Sequence, residues 1–197
     1  MSERWLIGCE SSARIRDAMR ARGVDAWSCD LLPCDGDPRW HIQGDVLDQL
    51  DKGWDGAVFH PPCPRLTNTA VRWLHERNLW AEMRESAAFF RALLHAPIPK
   101  VAVENLIPHK YAVAEIGRTY DQLVQPWWFG HPETKATCLW LRGLPKLVKT
   151  HDVETQMRAL PKRERMRLHY LPPSADRWKQ RSLTYQGLAD AIAAQWT

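Results

Sequence analysis

The chain has 197 residues, 45% apolar and 25% charged, with 27 Lys and Arg against 23 Asp and Glu. That balance belongs to a globular protein of about one domain, and no apolar run approaches the roughly 18 residues of a membrane span. Five cysteines without paired spacing argue against a disulfide scaffold, and the start, with no basic region leading into an apolar stretch, reads as no export signal, so a reducing cytoplasm is expected.

Residues 4–8 (RWLIG) read as a first strand. Ser11 and Ser12 stand as N-caps of a helix whose Ile15, Ala18 and Met19 keep a helical period, and Gly23 stands where a glycine ends one. Residues 24–29 read as a second strand followed by Asp30, and 41–43 as a weak third running into Gly44 and Asp45. Residues 55–59 form a fourth that runs straight into His60, Pro61, Pro62 and Cys63. Trp73, Trp80, Met83, Ala87, Phe90 and Leu94 make the stripe of an amphipathic helical region with a break near Asn78, closed by Pro97 and Pro99. Residues 100–103 are a fifth strand that ends at Glu104 and Asn105. Residues 123–129 and 136–141 read as two more strands, joined as a hairpin around Gly130, His131 and Pro132, and 184–196 as a final helix. Segment 145–182 has little periodicity but carries ten Lys and Arg against four Asp and Glu. It is either a solvated loop or a footprint for a polyanion.

Strands alternating with helices predict one α/β domain over residues 1–197, with a mostly parallel sheet and helices on both faces. In such sheets ligands bind beyond the carboxyl ends of the strands. Glu10, Asp30, Asp45, Cys63 and Glu104 each follow a predicted strand. Glu10, Ser11 and Ser12 open a helix N-terminus, which is either an ordinary cap or a contact for a polar ligand. Asp30 sits where α/β nucleoside sites place an acid for ribose hydroxyls, and Asp45 is able to accept from an adenine amino group; each is equally a turn cap. Three prolines around Cys63 hold its thiol in a fixed place, as a nucleophile requires, although a lone cysteine is also a small hydrophobe. A zinc site on His60 and Cys63 lacks a fourth ligand at suitable spacing. Strand five should neighbour strand four, which lets Glu104 share a pocket with Cys63 as a proton-handling carboxyl. Trp127, Trp128 and Trp178 lie near polar or basic residues and are candidates to stack on a base.

Taken in order, an acid after strand two, Gly44-Asp45-Val46, Pro61-Pro62-Cys63 and Glu104-Asn105 resemble the DNA cytosine-5 methyltransferases, in particular short bacteriophage-type methyltransferase-like proteins. The resemblance implies a Rossmann-like, class I S-adenosylmethionine-dependent methyltransferase fold with a seven-stranded sheet. It implies catalytic Cys63, Glu104, Asn105 and Lys135, the last in the stretch from Phe129 to Thr137 that resembles a further family motif. It implies cofactor contacts at Glu10, Ser11, Ser12, Asp30, Leu31, Asp45, Val46, Pro61 and Ser182. The implied cofactor is S-adenosylmethionine, or carboxy-S-adenosylmethionine if Lys179 and Arg181 pair with an extra carboxylate. Arg163, Arg165, Arg167, Arg177, Lys179 and Arg181 are the implied nucleic-acid contacts, and no metal is implied. The implied partner is DNA, with RNA or a free nucleotide as alternatives and no membrane, for a monomer or weak dimer in the cytoplasm of a bacterial host. A degenerate fold that only binds nucleic acid is the reading without catalysis. Three departures stand out: Pro64 follows the cysteine where the family often has Gln, the usual arginine pair is absent, and segment 145–182 replaces a full target-recognition domain.

Overall fold

The computed structural model describes residues 2–197. Its strands are β1 (Arg4–Gly8), β2 (Asp25–Asp30), β3 (His41–Gln43), β4 (Gly56–Phe59), β5 (Lys100–Asn105), β6 (Gln122–Val124) and β7 (Thr137–Arg142). They form one sheet in the order β3-β2-β1-β4-β5-β7-β6. The first five pair in parallel, and β7 runs antiparallel between β5 and β6. This is the expected Rossmann-like α/β sheet. The chain builds outward from β1 to β3 and then returns to β4 beside β1, so the switch point lies between β1 and β4, where such sheets open a crevice.

The central strands β1, β4, β5 and β7 read as nearly continuous apolar runs because both faces are covered. Side chains alternate between two cores. Trp5 and Ile7 of β1, Val58 of β4 and Leu139 of β7 enter one; Leu6, Phe59 and Trp140 enter the other. The first core is closed by α1 (Arg14–Arg20) and α8 (Gln186–Trp196) through Ile15, Met19, Leu188 and Ile192. The second is closed by α3 (Trp80–Leu94) and α4 (Lys110–Ile116) through Met83, Phe90 and Ala112. Each large apolar side chain buried this way contributes roughly 1.5–3 kcal/mol, which fixes the sheet as the rigid platform for the loops at its carboxyl end. The expected break near Asn78 is present: α2 (Val71–Glu76) ends there, and Asn78 takes a φ of 51° before α3 begins.

Four local expectations are corrected. Ser11 and Ser12 are not the residue before α1: that is Ala13, at a φ of 62°, which makes no side-chain cap, while Ser12 Oγ accepts from Arg14 N from one position further back, at a long 3.5 Å. The chain turns sharply out of β1 through left-handed residues at Cys9 and Ala13, so the capping acceptor is the Glu10 carboxylate, which takes the Ile15 N–H at 3.3 Å. β5 continues through Glu104 and Asn105, which pair with Leu139 and Cys138, so these polar residues belong to the strand itself. β6 stops at Val124, because Pro126 has no N–H for the ladder and opens a 3-10 turn over Pro126–Trp128. β6 and β7 therefore pair across a long loop rather than a tight hairpin. Segment 145–182 is not a featureless loop: it folds into the short helices α5 (Glu154–Ala159), α6 (Lys162–Arg165) and α7 (Arg177–Ser182).

Candidate active site

The nucleophile candidate leaves the sheet at β4. His60 N donates to the Gly8 carbonyl at 3.0 Å, which carries the β1–β4 pairing one residue past the strand. Pro61 and Pro62 then hold an extended path, and Cys63 opens a turn whose carbonyl accepts from Leu66 N at 3.1 Å. Next door, Phe59 pairs with Val103, so Glu104 stands one register step above the end of β4, level with His60. His60 Nδ1 lies 3.0 Å from Glu104 Oε2. From the other side, β7 pairs with β5, and Lys135 just ahead of it turns its ammonium group inward, donating to the Leu183 carbonyl at 3.3 Å. Asn105 uses Oδ1 to accept Leu106 N, and its Nδ2 is buried without a partner among the described residues.

These groups line one cavity of about 320 Å³. Its electrostatics follow from burial and three charges. Burial raises the Cys63 pKa and the Glu104 carboxylate adds to this; Lys135 and Arg181 oppose without reversing it. Burial also works against the Glu104 carboxylate, but its hydrogen bond to His60, the charge of His60 and that of Lys135 together hold its pKa below the ordinary value. Burial lowers the Lys135 ammonium pKa, against the pull of Glu104 and Cys63. The cavity thus pairs an ionised carboxylate with a thiol kept protonated, and a cation stands beside both. Such a set can present a sulfur nucleophile to a flat ring while the carboxyl and ammonium groups handle its polar edge.

A second cavity, of about 380 Å³, shares Cys9, Asp30 and Pro62 with the first, so the two form one cleft across the switch point. Leu31, Asp45, Val46 and Phe89 line it. Asp30 and Asp45 each use one oxygen as a turn acceptor, from Leu32 N and Leu47 N at 2.9 Å. At the junction, Glu10 Oε1 accepts from Ser12 Oγ at 2.8 Å, while Oε2 is buried with no partner among the described residues. Burial raises the Glu10 pKa, only partly offset by the charge of His60 and the bonds from Ser12 and Ile15. An apolar wall edged by carboxylates, with one orphaned acid oxygen, suits a nucleoside that carries a cation.

Ser11, Ser12, Pro61 and Ser182 also border the first cavity. Among the six basic residues singled out from the sequence, only Lys179 and Arg181 do so. Lys179 is ion-paired with Asp35 at 2.6 Å. Arg167 is paired with Glu133 at 3.1 Å, and Arg177 points to the His169 carbonyl at 3.5 Å. Arg163 and Arg165 lie on α6, away from the cleft lining. Trp178 is 58% exposed at the cavity mouth. Trp127 and Trp128 do not line the cleft: their rings lie 4.6 and 5.3 Å from Lys149 Nζ, where the loop after β6 meets the start of the basic segment. Sequence reasoning missed Cys9 and Asp35 as cleft residues and His60 as the partner of Glu104. Only His60 left a signal, its place beside Pro61.

No family model and no curated protein matches the chain. Solved structures do. A methyltransferase of Entamoeba histolytica is 11% identical, over 77% of this chain and 58% of its own, with a TM-score of 0.47. A protein described as a DNA modification methyltransferase, from a prophage in E. coli, is 14% identical over 82% of this chain and 56% of its own, with a TM-score of 0.45. The S. pombe methyltransferase Dnmt2 is 12% identical over 91% and 62%, with a TM-score of 0.49. The chain thus spans less than two thirds of the length of each of these structures.

Proposed function

We propose that this Rossmann-like methyltransferase fold transfers a methyl group from S-adenosylmethionine to C5 of cytosine in DNA, through a covalent bond between Cys63 Sγ and C6 of the base. One observation carries the reading. Cys63, Glu104 and Lys135 come from three separate segments and converge on one cavity that opens into an acid-edged cleft.

The residues of that cleft fit the cofactor. Glu10 Oε2 supplies a buried acceptor for its cationic end, Asp30 and Asp45 supply acceptors for ribose and adenine, and Leu31, Val46 and Phe89 supply apolar surface. When bound, S-adenosylmethionine supplies an electrophilic methyl group. The chain's own residues do the rest. The Cys63 thiol proton passes to the Glu104 carboxylate as the sulfur lone pair adds to C6. Glu104, held by His60, then delivers that proton to N3, so that the ring electrons gather at C5 instead of building charge on nitrogen. Lys135 stabilises the thiolate and the carboxylate in turn. After methyl transfer, the C5 proton leaves to water, its electron pair returns to the ring and expels Cys63 Sγ as thiolate, and the N3 proton returns to the sulfur through Glu104. A base inside a duplex is out of reach of this half-buried thiol, so it must be unstacked first. The short helices of segment 145–182 stand in place of a recognition domain, with Arg181 as the nearest phosphate partner.

The test is nucleoside mass spectrometry of DNA and RNA from cells expressing the wild type or Cys63→Ala. A methylated cytosine found in DNA only with the wild type supports the proposal. The same product in RNA moves the substrate to RNA, and no change in either polymer overturns it.

A further inference from the structure

Beside the catalytic cavity lies another of about 410 Å³ that shares Cys63, Leu106 and Arg181 with it. Its remaining walls come from the turn after the nucleophile and from α2, with Arg65, Trp73 and Arg77 as the chemically distinctive groups. Three guanidinium groups line this groove and no carboxylate does. Glu82 neutralises Arg65 from outside, at 2.8 Å, whereas Arg77 and Arg181 have no ion-pair partner among the described residues. Trp73 is half-buried, with Arg72 and Arg77 guanidinium carbons 4.3 and 4.2 Å from its ring centre. Arg77 is placed there by the helix: it follows Trp73 by one turn and its N–H closes onto the Trp73 carbonyl at 3.0 Å.

We propose that this groove is the subsite for the nucleotide adjoining the modified base, and that it takes a single strand. The proposal rests on reading the Cys63 cavity as the base pocket. A cytosine delivered to Cys63 brings its own phosphodiester to the boundary between the two cavities, which is where Arg181 stands. The next nucleotide then enters a groove whose Trp73 ring carries the exposed guanidinium groups of Arg72 and Arg77, so that its base stacks on a guanidinium plane or replaces one on the indole, contacts that hold unpaired bases without reading their identity. The volume lies near the lower end of the roughly 300–1,000 Å³ of small-ligand pockets, the scale of one nucleotide. The absence of acids makes it complementary to the phosphate backbone, and the chain needs no large recognition domain to engage a strand already unpaired.

Binding is measured by fluorescence anisotropy with a short labelled oligodeoxynucleotide, offered single-stranded or annealed to its complement. Cys63→Ala serves as the background, so that no chemistry intrudes. The single strand is expected to bind several-fold tighter than the duplex. Adding Trp73→Ala weakens single-strand binding by about 5- to 150-fold, the range for one base–aromatic stack, and leaves duplex binding nearly unchanged. Arg77→Gln leaves Trp73 in place; it weakens single-strand binding and lowers the salt slope by about one. Equal affinity for both forms, or single-strand affinity untouched in both variants, overturns the proposal. The two readings fail separately. If the variants weaken binding but no Cys63-dependent product forms, the groove's single-strand role stands and the reaction falls. If product forms and the variants bind normally, the reaction stands and the subsite falls.

Discussion

His60 Nδ1 sits 3.0 Å from Oε2 of Glu104, across the seam between β4 and β5. The sheet register creates this contact, because pairing of Phe59 with Val103 brings the next residue of each strand side by side. The bond fixes the rotamer of the carboxylate and places a proton donor behind it. The other ring nitrogen, Nε2, is buried with no partner among the described residues, so the ring is held from one side only.

Removing His60 is therefore expected to damage turnover rather than binding. His60→Ala lowers kcat on the order of 100-fold, the usual cost of misplacing a catalytic group by about 1 Å, with KM little changed. Loss of the group that holds Glu104 low also moves the acid limb of the rate profile to higher pH. His60→Gln, which restores a donor, recovers part of the rate. Steady-state kinetics across pH check this, and an equal rise in KM with kcat preserved counts against it.

Thiol reactivity reports the same charges. Since the Cys63 pKa is raised, first by burial and then by Glu104, its alkylation by iodoacetamide is slow near neutrality and climbs with pH beyond the range of an ordinary thiol. Glu104→Gln removes the repelling carboxylate, so the climb moves to lower pH. Lys135→Met removes a stabilising cation, so it moves to higher pH. Mass spectrometry of the Cys63 peptide gives the rate at each pH, and opposite signs in the two variants are the result to look for.

The mouth of the cleft is strapped by Lys179 of α7 and Asp35, paired at 2.6 Å. Asp35 N is tied to the Ser11 carbonyl at 2.9 Å, and the neighbouring loop is held by the fully buried Arg16, which donates to Ser28 Oγ at 3.1 Å and to the Asp37 carbonyl at 2.9 Å. Both members of the strap are over a third exposed, so it is worth only about 0–1 kcal/mol. Lys179→Ala is expected to change S-adenosylmethionine affinity by no more than about fivefold, since each 1.4 kcal/mol is tenfold. Near 1 M salt, where screening acts over about 3 Å, wild type and variant converge. Isothermal titration at two salt concentrations measures both effects.

Gly187 is a purely structural test. It lies at the start of α8, and a Cβ there collides with the Phe129 carbonyl oxygen and presses on the Phe129 side chain. Gly187→Ala must push α8 away from the loop after β6, with a loss of about 1–3 kcal/mol, the range for overpacked sites. Urea denaturation checks this, and a change below about 0.5 kcal/mol, the level of an ordinary surface substitution, shows that the helix yields freely.

Much of the fold was legible in the residues. Short apolar runs separated by helical stripes mark strands that are covered on both faces, and the prolines around Cys63 mark a strand exit held in one path. The left-handed turn through Cys9 and Ala13 was not legible, because neither residue type announces a positive φ. Nor was the extension of β5 through Glu104 and Asn105, since polar residues enter a strand only when a neighbour supplies the ladder, here β7. The basic segment shows the same limit. Of the six cations implied there, only Lys179 and Arg181 line the catalytic cavity, and Lys179 is held by Asp35, which leaves Arg181 at the boundary of two cavities.

By itself the sequence determined which groups are available for chemistry and that most of them stand at strand ends, because local periodicity and proline stereochemistry act over a few residues. Only the tertiary structure decided who faces whom. His60 meets Glu104 across 44 positions, and Lys135 and Arg181 reach Cys63 from still farther along the chain. Those meetings are set by the order and register of strands in the sheet, a property of the whole core rather than of any segment.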